Sequence, residues 1–279
     1  MHASPAARIL LNTRDIELWP ARLLRARGNR DARVLSRASL ILRRKRDGRY
    51  LAAVVPEGIV GLLPRWQAEA GIDEALDLLD AGVMPAAQMP AHRLPLSQAE
   101  AHLEALGFDA DDYIARTGLT LIAEPAWLAL AGLDRYRRPL WLDGPTARAW
   151  QALREAAARD DVALEAVSGY RSHDYQLGIF ERKFERGLSL DDILAVNAAP
   201  GFSEHHSGRA LDISAPGEPA AEESFECTAA FDWLRRHAVE HGFTMSYPRD
   251  NPHGIVYEPW HWRFDPPADR ASPVRAISA

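Results

Sequence analysis

The sequence predicts an α+β protein: a mainly antiparallel sheet with flanking helices, plus a small N-terminal α/β region. Three observations carry this. Short apolar runs are bounded by turn residues, as strands require. Segments with helical spacing open on Pro or Ser and close on Gly. Helices combined with a mainly antiparallel sheet make the class α+β.

In chain order, Ala38 to Leu42 and Tyr50 to Val55 read as strands joined by Lys45-Arg46-Asp47-Gly48, a hairpin. Leu63 to Leu79 has helical spacing, Pro85, Pro90 and Pro95 punctuate a looser stretch after it, and Ser97 to Leu106 reads as another helix. Pro145 suits the first turn of a helix over Thr146 to Arg159, where Ala149, Leu153 and Ala156-Ala157 recur at helical spacing. Val162 to Val167 is a short strand. Ser172 is placed to cap a helix reaching Arg186, with Gly187 as its stop, and Ser189 to cap a short one. Ala198 to Ser207 is loop-like and Arg209 to Ile213 a strand. A helix over Thr228 to His241 ends at Gly242, before strands around Phe243 to Tyr247 and Ile255 to Phe264.

Punctuation and motif content divide the 279 residues into an N-terminal accessory region, 1–115, and a second region, 116–279, that holds the chemistry-bearing residues. His92 and His102 in the first region lack metal spacing. With 47% hydrophobic and 26% charged residues the composition is that of an ordinary globular protein. A net charge of -6 argues against general affinity for nucleic acid or anionic membrane, which calls for a basic patch. A small polar substrate fits better. The single Cys227 forms no intramolecular disulfide. Arg8, Asn12, Arg14 and Asp15 interrupt the first residues, so no signal-peptide core is expected, nor is membrane insertion. The expected location is cytoplasmic.

The segment Ser203-Glu204-His205-His206-Ser207-Gly208-Arg209-Ala210-Leu211-Asp212 and the later Glu258-Pro259-Trp260-His261 together offer histidines and carboxylates. A catalytic zinc takes three protein ligands and keeps one position open. His205, Asp212 and His261 meet that specification. His206 is set aside, because adjacent side chains of an extended segment point opposite ways. Small Gly208 and Ala210 suit a close approach of backbone and substrate to the metal. Glu258 is positioned in sequence to act as acid and base. Arg171, at a strand-to-helix junction, supplies a fixed guanidinium for charge developing on a carbonyl oxygen. His173 is expected to face solvent, and His237 and His241 to be surface residues.

These residues resemble the VanY-type D-alanyl-D-alanine carboxypeptidases, zinc peptidases that include L,D-carboxypeptidases. The resemblance covers roughly residues 126–264. It rests on Ser168-Gly169-Tyr170-Arg171-Ser172 with Gln176, on Ser203-x-His205-x-x-Gly208-x-Ala210-x-Asp212, on Tyr247-Pro248, and on Tyr257-Glu258-Pro259-Trp260-His261-x-Arg263. It implies a VanY/hedgehog-like fold, Zn2+ held by His205, Asp212 and His261, Glu258 as general base and acid, and Arg171 polarising the scissile carbonyl. Tyr170, Gln176, Ser203 and Trp260 are implied to line the substrate wall or support the site. The implied substrates are peptidoglycan-derived peptides or muropeptides. The expected activity is an L,D-carboxypeptidase on recycled muropeptides, with D,D-carboxypeptidase, related zinc endopeptidase and non-catalytic wall-peptide binding module as alternatives. Oligomeric state is not legible.

Overall fold

A computed structural model describes residues 8–82 and 92–265. Seven strands form the first sheet: β1 (Ile9–Asn12), β2 (Ile16–Pro20), β3 (Leu40–Arg44), β4 (Tyr50–Val55), β5 (Gly58–Gly61), β6 (Trp127–Leu133) and β7 (Pro139–Leu142). Their order is β5-β4-β3-β2-β1-β6-β7, all antiparallel. The predicted hairpin is β3–β4, and its turn closes through Gly48, whose φ of 68° suits a residue without a Cβ. A short helix, α1 (Asn29–Leu35), links β2 to β3. The helix expected over 63–79 is broken. Gly71 adopts a left-handed φ of 72° and Asp15 packs where a side chain would stand, so α2 runs only over Ile72–Asp80. Pro85 and Pro90 lie outside the described residues.

Two helices, α3 (Ser97–Ala105) and α4 (Ala110–Thr117), lead back to β6. After β7 comes α5 (Gly144–Arg159), whose start is fixed by Pro145 and by Asp143 accepting the Thr146 amide at 2.8 Å. The second sheet contains β8 (Glu165–Ser168), β9 (Ala210–Ser214), β10 (Phe243–Met245) and β11 (His261–Phe264), ordered β10-β11-β9-β8 and again antiparallel. Between β8 and β9 lie α6 (His173–Glu185), capped by Ser172, and α7 (Leu190–Leu194), capped by Ser189. Helix α8 (Ala229–His237) tightens into a 3-10 turn that ends at Gly242, φ 86°. Trp150, Leu153 and Ala157 of α5 pack against Leu211 and Ile213 of β9, Trp233 of α8 and Trp262 of β11. Each buried Leu or Ile side chain among them contributes about 1.5–3 kcal/mol. The last predicted strand is shorter than expected. Residues 255–258 are irregular and 259–260 turn into β11, held by Glu258 N to Tyr247 O (3.0 Å) and His261 N to Glu258 O (3.1 Å), with Pro259 unable to donate to a ladder.

Residues 115 and 116 are not separated by a linker between independent sheets. β1 pairs directly with β6, Leu10 opposite Leu128, so strands from both sides of that position share one sheet. Buried Glu124 reinforces the seam. Its carboxylate accepts from Lys45 Nζ (2.6 Å), Asn12 Nδ2 (3.0 Å), the Tyr170 hydroxyl (2.5 Å) and the His173 amide (2.7 Å). Burial opposes its ionisation, but Lys45 and His173 outweigh that and hold the carboxyl well below the usual range.

Glu124→Ala would strand the Lys45 ammonium, whose side chain is fully enclosed, and is expected to cost about 3–5 kcal/mol by chemical denaturation. A depressed carboxyl pKa stabilises the fold fully above the unfolded value of about 4.3 and ceases to do so as pH falls through the native value. The difference between wild type and variant is therefore expected to be flat above that range and to shrink on acidification; a difference that grows in acid contradicts the assignment.

Candidate metal centre

Antiparallel register sets the core of the site. His261 opens β11 directly opposite Asp212 on β9, and Asp212 is also the partner of Ser168 at the end of β8. One side chain on the middle strand is thus flanked by a histidine on one neighbour and by the loop carrying Arg171 on the other. His205 enters from a 3-10 turn, Glu204–Ser207, which ends at Gly208 with φ 71°. Gly208 does not face the metal cluster. A Cβ there would meet Leu128 and the backbone of Asp143 (2.7 and 2.9 Å), and its carbonyl accepts the Asp143 amide at 2.9 Å. Glycine at this position lets the ligand-bearing turn dock on the end of β7.

One ligand atom from each of His205, Asp212 and His261 lies within 4.8 Å of the others, and all three residues are buried. Their outward nitrogens are committed elsewhere. His205 Nδ1 bonds Gly169 O at 2.7 Å, leaving Nε2 toward Asp212 Oδ1 at 3.3 Å. His261 Nε2 bonds Glu204 Oε2 at 2.8 Å, leaving Nδ1 toward Asp212 Oδ1 at 3.2 Å. Each ring is oriented by a fixed acceptor and presents its remaining nitrogen to the cluster, the pattern of histidines that ligate a metal. Two imidazole nitrogens and a carboxylate, enclosed and convergent, fit zinc.

The charges also call for a cation. Burial pushes Asp212 up, yet His205 and Arg171 outweigh it and hold its carboxyl well down. Burial and the nearby guanidinium lower His205 to about 4. Burial opposes protonation of His261 too, but Asp212 and Glu204 raise it to about 10. Arg171 lies against the cluster, its Nη2 2.5 Å from Asp212 Oδ2 and 2.9 Å from His205 Nε2, and Ser168 Oγ accepts from its Nε at 3.0 Å. Glu258 Oε2 is 3.8 Å from His261 Nδ1. Burial, with Asp212 and Glu204 adding to it against His261 and Arg171, lifts the Glu258 carboxyl to about 7, a range suited to taking up and returning a proton.

A cleft of about 340 Å³ opens on this cluster. Arg171, Gln176, Ser203, Glu258 and Trp260 line it together with the three ligand candidates. Gln176 is buried, donates to Ala198 O at 2.9 Å, and has no partner for its Oε1 among the described residues. Trp260 is half-buried against the main core. Tyr170 is placed differently. Its hydroxyl turns into the Glu124 cluster, and its ring borders a second cleft with Trp19 and Arg43. His173, expected in solvent, is buried: the α6 start turns it inward onto Ile122 O (2.8 Å) and against the His206 ring. His206 is likewise buried and bonds the Arg171 carbonyl through Nδ1 at 2.7 Å. His237 stacks on Trp233, away from the ligand cluster, and Cys227 is exposed.

Sequence reasoning missed Glu204. Its Oε2 accepts from His261 and from Ser246 Oγ (2.6 Å), and its Oε1 from Arg263 Nη1 (2.9 Å), which Asp265 holds in turn. The neighbouring Ser203-x-His205 motif gave no signal for it, because the partner lies 57 residues away. Tyr247, placed in the motif without a role, packs its ring against His261 at 4.8 Å.

The pattern of the VanY family, described as D-alanyl-D-alanine carboxypeptidase, matches residues 140–267. A putative carboxypeptidase, YodJ of Bacillus subtilis (strain 168), is 38% identical over 122 residues, which is 42% of this chain and 44% of the relative. The chain thus spans less than half of that protein's length. The bifunctional D-Ala-D-Ala dipeptidase and D-Ala-D-Ala carboxypeptidase VanXYC of Enterococcus gallinarum is 32% identical over 148 residues, 50% of this chain and 75% of the relative. Among solved structures, the LdcB LD-carboxypeptidase aligns over 48% of this chain and 64% of its own, at 31% identity and TM-score 0.45.

Removing the Glu204 carboxylate frees the His261 ring. Glu204→Ala is expected to weaken zinc binding about 10–100-fold in competition with a chromophoric chelator. Unchanged affinity in a variant that melts like wild type refutes the orienting role.

Proposed function

Because the chain belongs to the VanY family of D-alanyl-D-alanine carboxypeptidases, we propose that it is a zinc-dependent carboxypeptidase releasing C-terminal D-alanine from peptidoglycan stem peptides. The carrying observation is the convergence of His205, Asp212 and His261 beside Glu258 in one cleft. When bound by those three side chains, zinc supplies Lewis acidity toward water and toward a carbonyl oxygen. Glu258 takes a proton from the attacking water and returns it to the departing amine nitrogen, so one carboxylate serves as base and then acid. The Arg171 guanidinium stabilises negative charge growing on the carbonyl oxygen. Ser168 Oγ accepts from the guanidinium Nε, and His206 holds the Arg171 backbone through its carbonyl. Gln176 Oε1 and Ser203 offer hydrogen-bonding groups on the cleft wall for peptide N–H and terminal groups. Water alone attacks, so no acyl-enzyme forms.

The finer reading is an L,D-carboxypeptidase that converts soluble tetrapeptide muropeptides to tripeptides in the cytoplasm. The competing D,D reading, on pentapeptides, is favoured by the D-Ala-D-Ala activity named for the enterococcal relative. Incubation with tetrapeptide and pentapeptide muropeptides, with products identified by mass, separates the two. Tetrapeptide turnover supports L,D cleavage. Loss of D-alanine from the pentapeptide alone supports D,D cleavage, and a cut inside the stem marks an endopeptidase.

Glu258→Gln is expected to lower kcat about 10²–10⁴-fold while zinc content by elemental analysis stays at that of wild type. Retained D-alanine release in the zinc-loaded variant rules out the proposed acid and base.

A further inference from the structure

The whole-chain charge of -6 conceals a division. Residues 1–65 hold fourteen Arg and Lys against five Asp and Glu, while the remainder holds nineteen against thirty-four. Averaging over the chain hides a cationic lobe on an acidic body. Within it, Arg22, Arg25, Arg27, Arg30, Arg33 and Arg37 fall in sixteen consecutive residues, and all are exposed.

The fold gathers these cations on one side of the first sheet. Helix α1 packs half-buried Val34 and Leu35 onto the cluster of Ile41, Tyr50 and Leu62. Arg30 and Arg33, three apart, are exposed on α1, and exposed Arg37 follows two residues after its end. The segment is pinned: Arg27 lies 4.5 Å over the Tyr50 ring and donates to Gly48 O at 2.8 Å, and Arg30 donates to Gly61 O at 3.1 Å. Counter-charge is sparse. Arg37 and Glu57 form an exposed pair at 3.6 Å, and Asp31 accepts the Arg27 amide. Among the described residues, no acidic group lies within ion-pair distance of Arg25, Arg30 or Arg33.

We propose that the Arg22–Arg37 face is an electrostatic docking surface for a bilayer rich in acidic phospholipids. Guanidinium groups pair bidentately with phosphate, and clustered cations on an amphipathic helix attract anionic leaflets. Nucleic acid fits less well. Binding a single strand uses exposed aromatic platforms, and Ile59 is the one large apolar side chain strongly exposed among the described residues of this lobe. A seven-residue α1 is also short for reading a groove. The acidic remainder repels the same surface from its other faces, which orients the lobe toward the lipid.

The test is co-sedimentation of the full chain with phosphatidylcholine vesicles, with and without phosphatidylglycerol, across a salt series. Binding is expected only to the phosphatidylglycerol vesicles, weakening at least about tenfold as salt rises. The triple variant Arg25→Glu, Arg30→Glu, Arg33→Glu is expected to abolish it, and the corresponding lysine variant to retain it. Should the reversal variant melt below wild type, the lysine variant and the salt series decide. Equal binding to both vesicle types, binding to neither, or retention by a folded reversal variant overturns the proposal. So does tighter binding to an oligonucleotide of either strandedness than to phosphatidylglycerol vesicles.

Discussion

A carboxylate buried on the middle strand of a four-stranded sheet imposes the central constraint. Asp212 is 5% exposed, and an ion so enclosed persists only where positive charge and hydrogen-bond donors surround it. The two neighbouring strands answer that requirement, β11 with His261 and β8, through the loop after it, with Arg171. His205 completes the ring from the turn preceding β9. The same need for a cation fits the cluster to hold a metal.

Around this cluster, each functional side chain is held by a residue that does no chemistry itself. Glu204 orients His261, Gly169 O orients His205, and His206 fixes the Arg171 backbone. The chain of contacts continues into the first sheet. Glu124 grips Tyr170 and the His173 amide on either side of Arg171, and at the same time Lys45 and Asn12 from the N-terminal strands. The N-terminal residues are therefore part of the scaffold that positions the loop carrying Arg171, and Lys45 supplies half of a buried ion pair to do it.

Charge is organised at two scales. Near the cleft, opposed charges are matched pair by pair at short distance, as buried groups demand. Over the whole molecule they are unevenly distributed, with cations in excess over residues 1–65 and acids in excess over the remainder. A net charge taken over the chain averages the two and reports neither, which is why the value of -6 does not describe residues 1–65.

The sequence by itself determined the hairpin of β3 and β4, the Pro-marked start of α5, the capped starts of α6 and α7, and the α+β class, because hydrophobic period, caps and turns are local. It also pointed to His205, Asp212 and His261 as a set, since short motifs keep ligand types and spacing together. Local pattern misjudged the 63–79 helix, where a left-handed Gly71 intervenes, and His173, whose position in a first helical turn says nothing about what packs over it. Only the tertiary structure decided that Asp212 and His261 are cross-strand partners, that Glu204 holds the latter, and that Tyr170 serves the seam instead of the cleft wall. These are contacts between residues tens of positions apart. Register and burial create them, and neither is written in the spacing of any one segment.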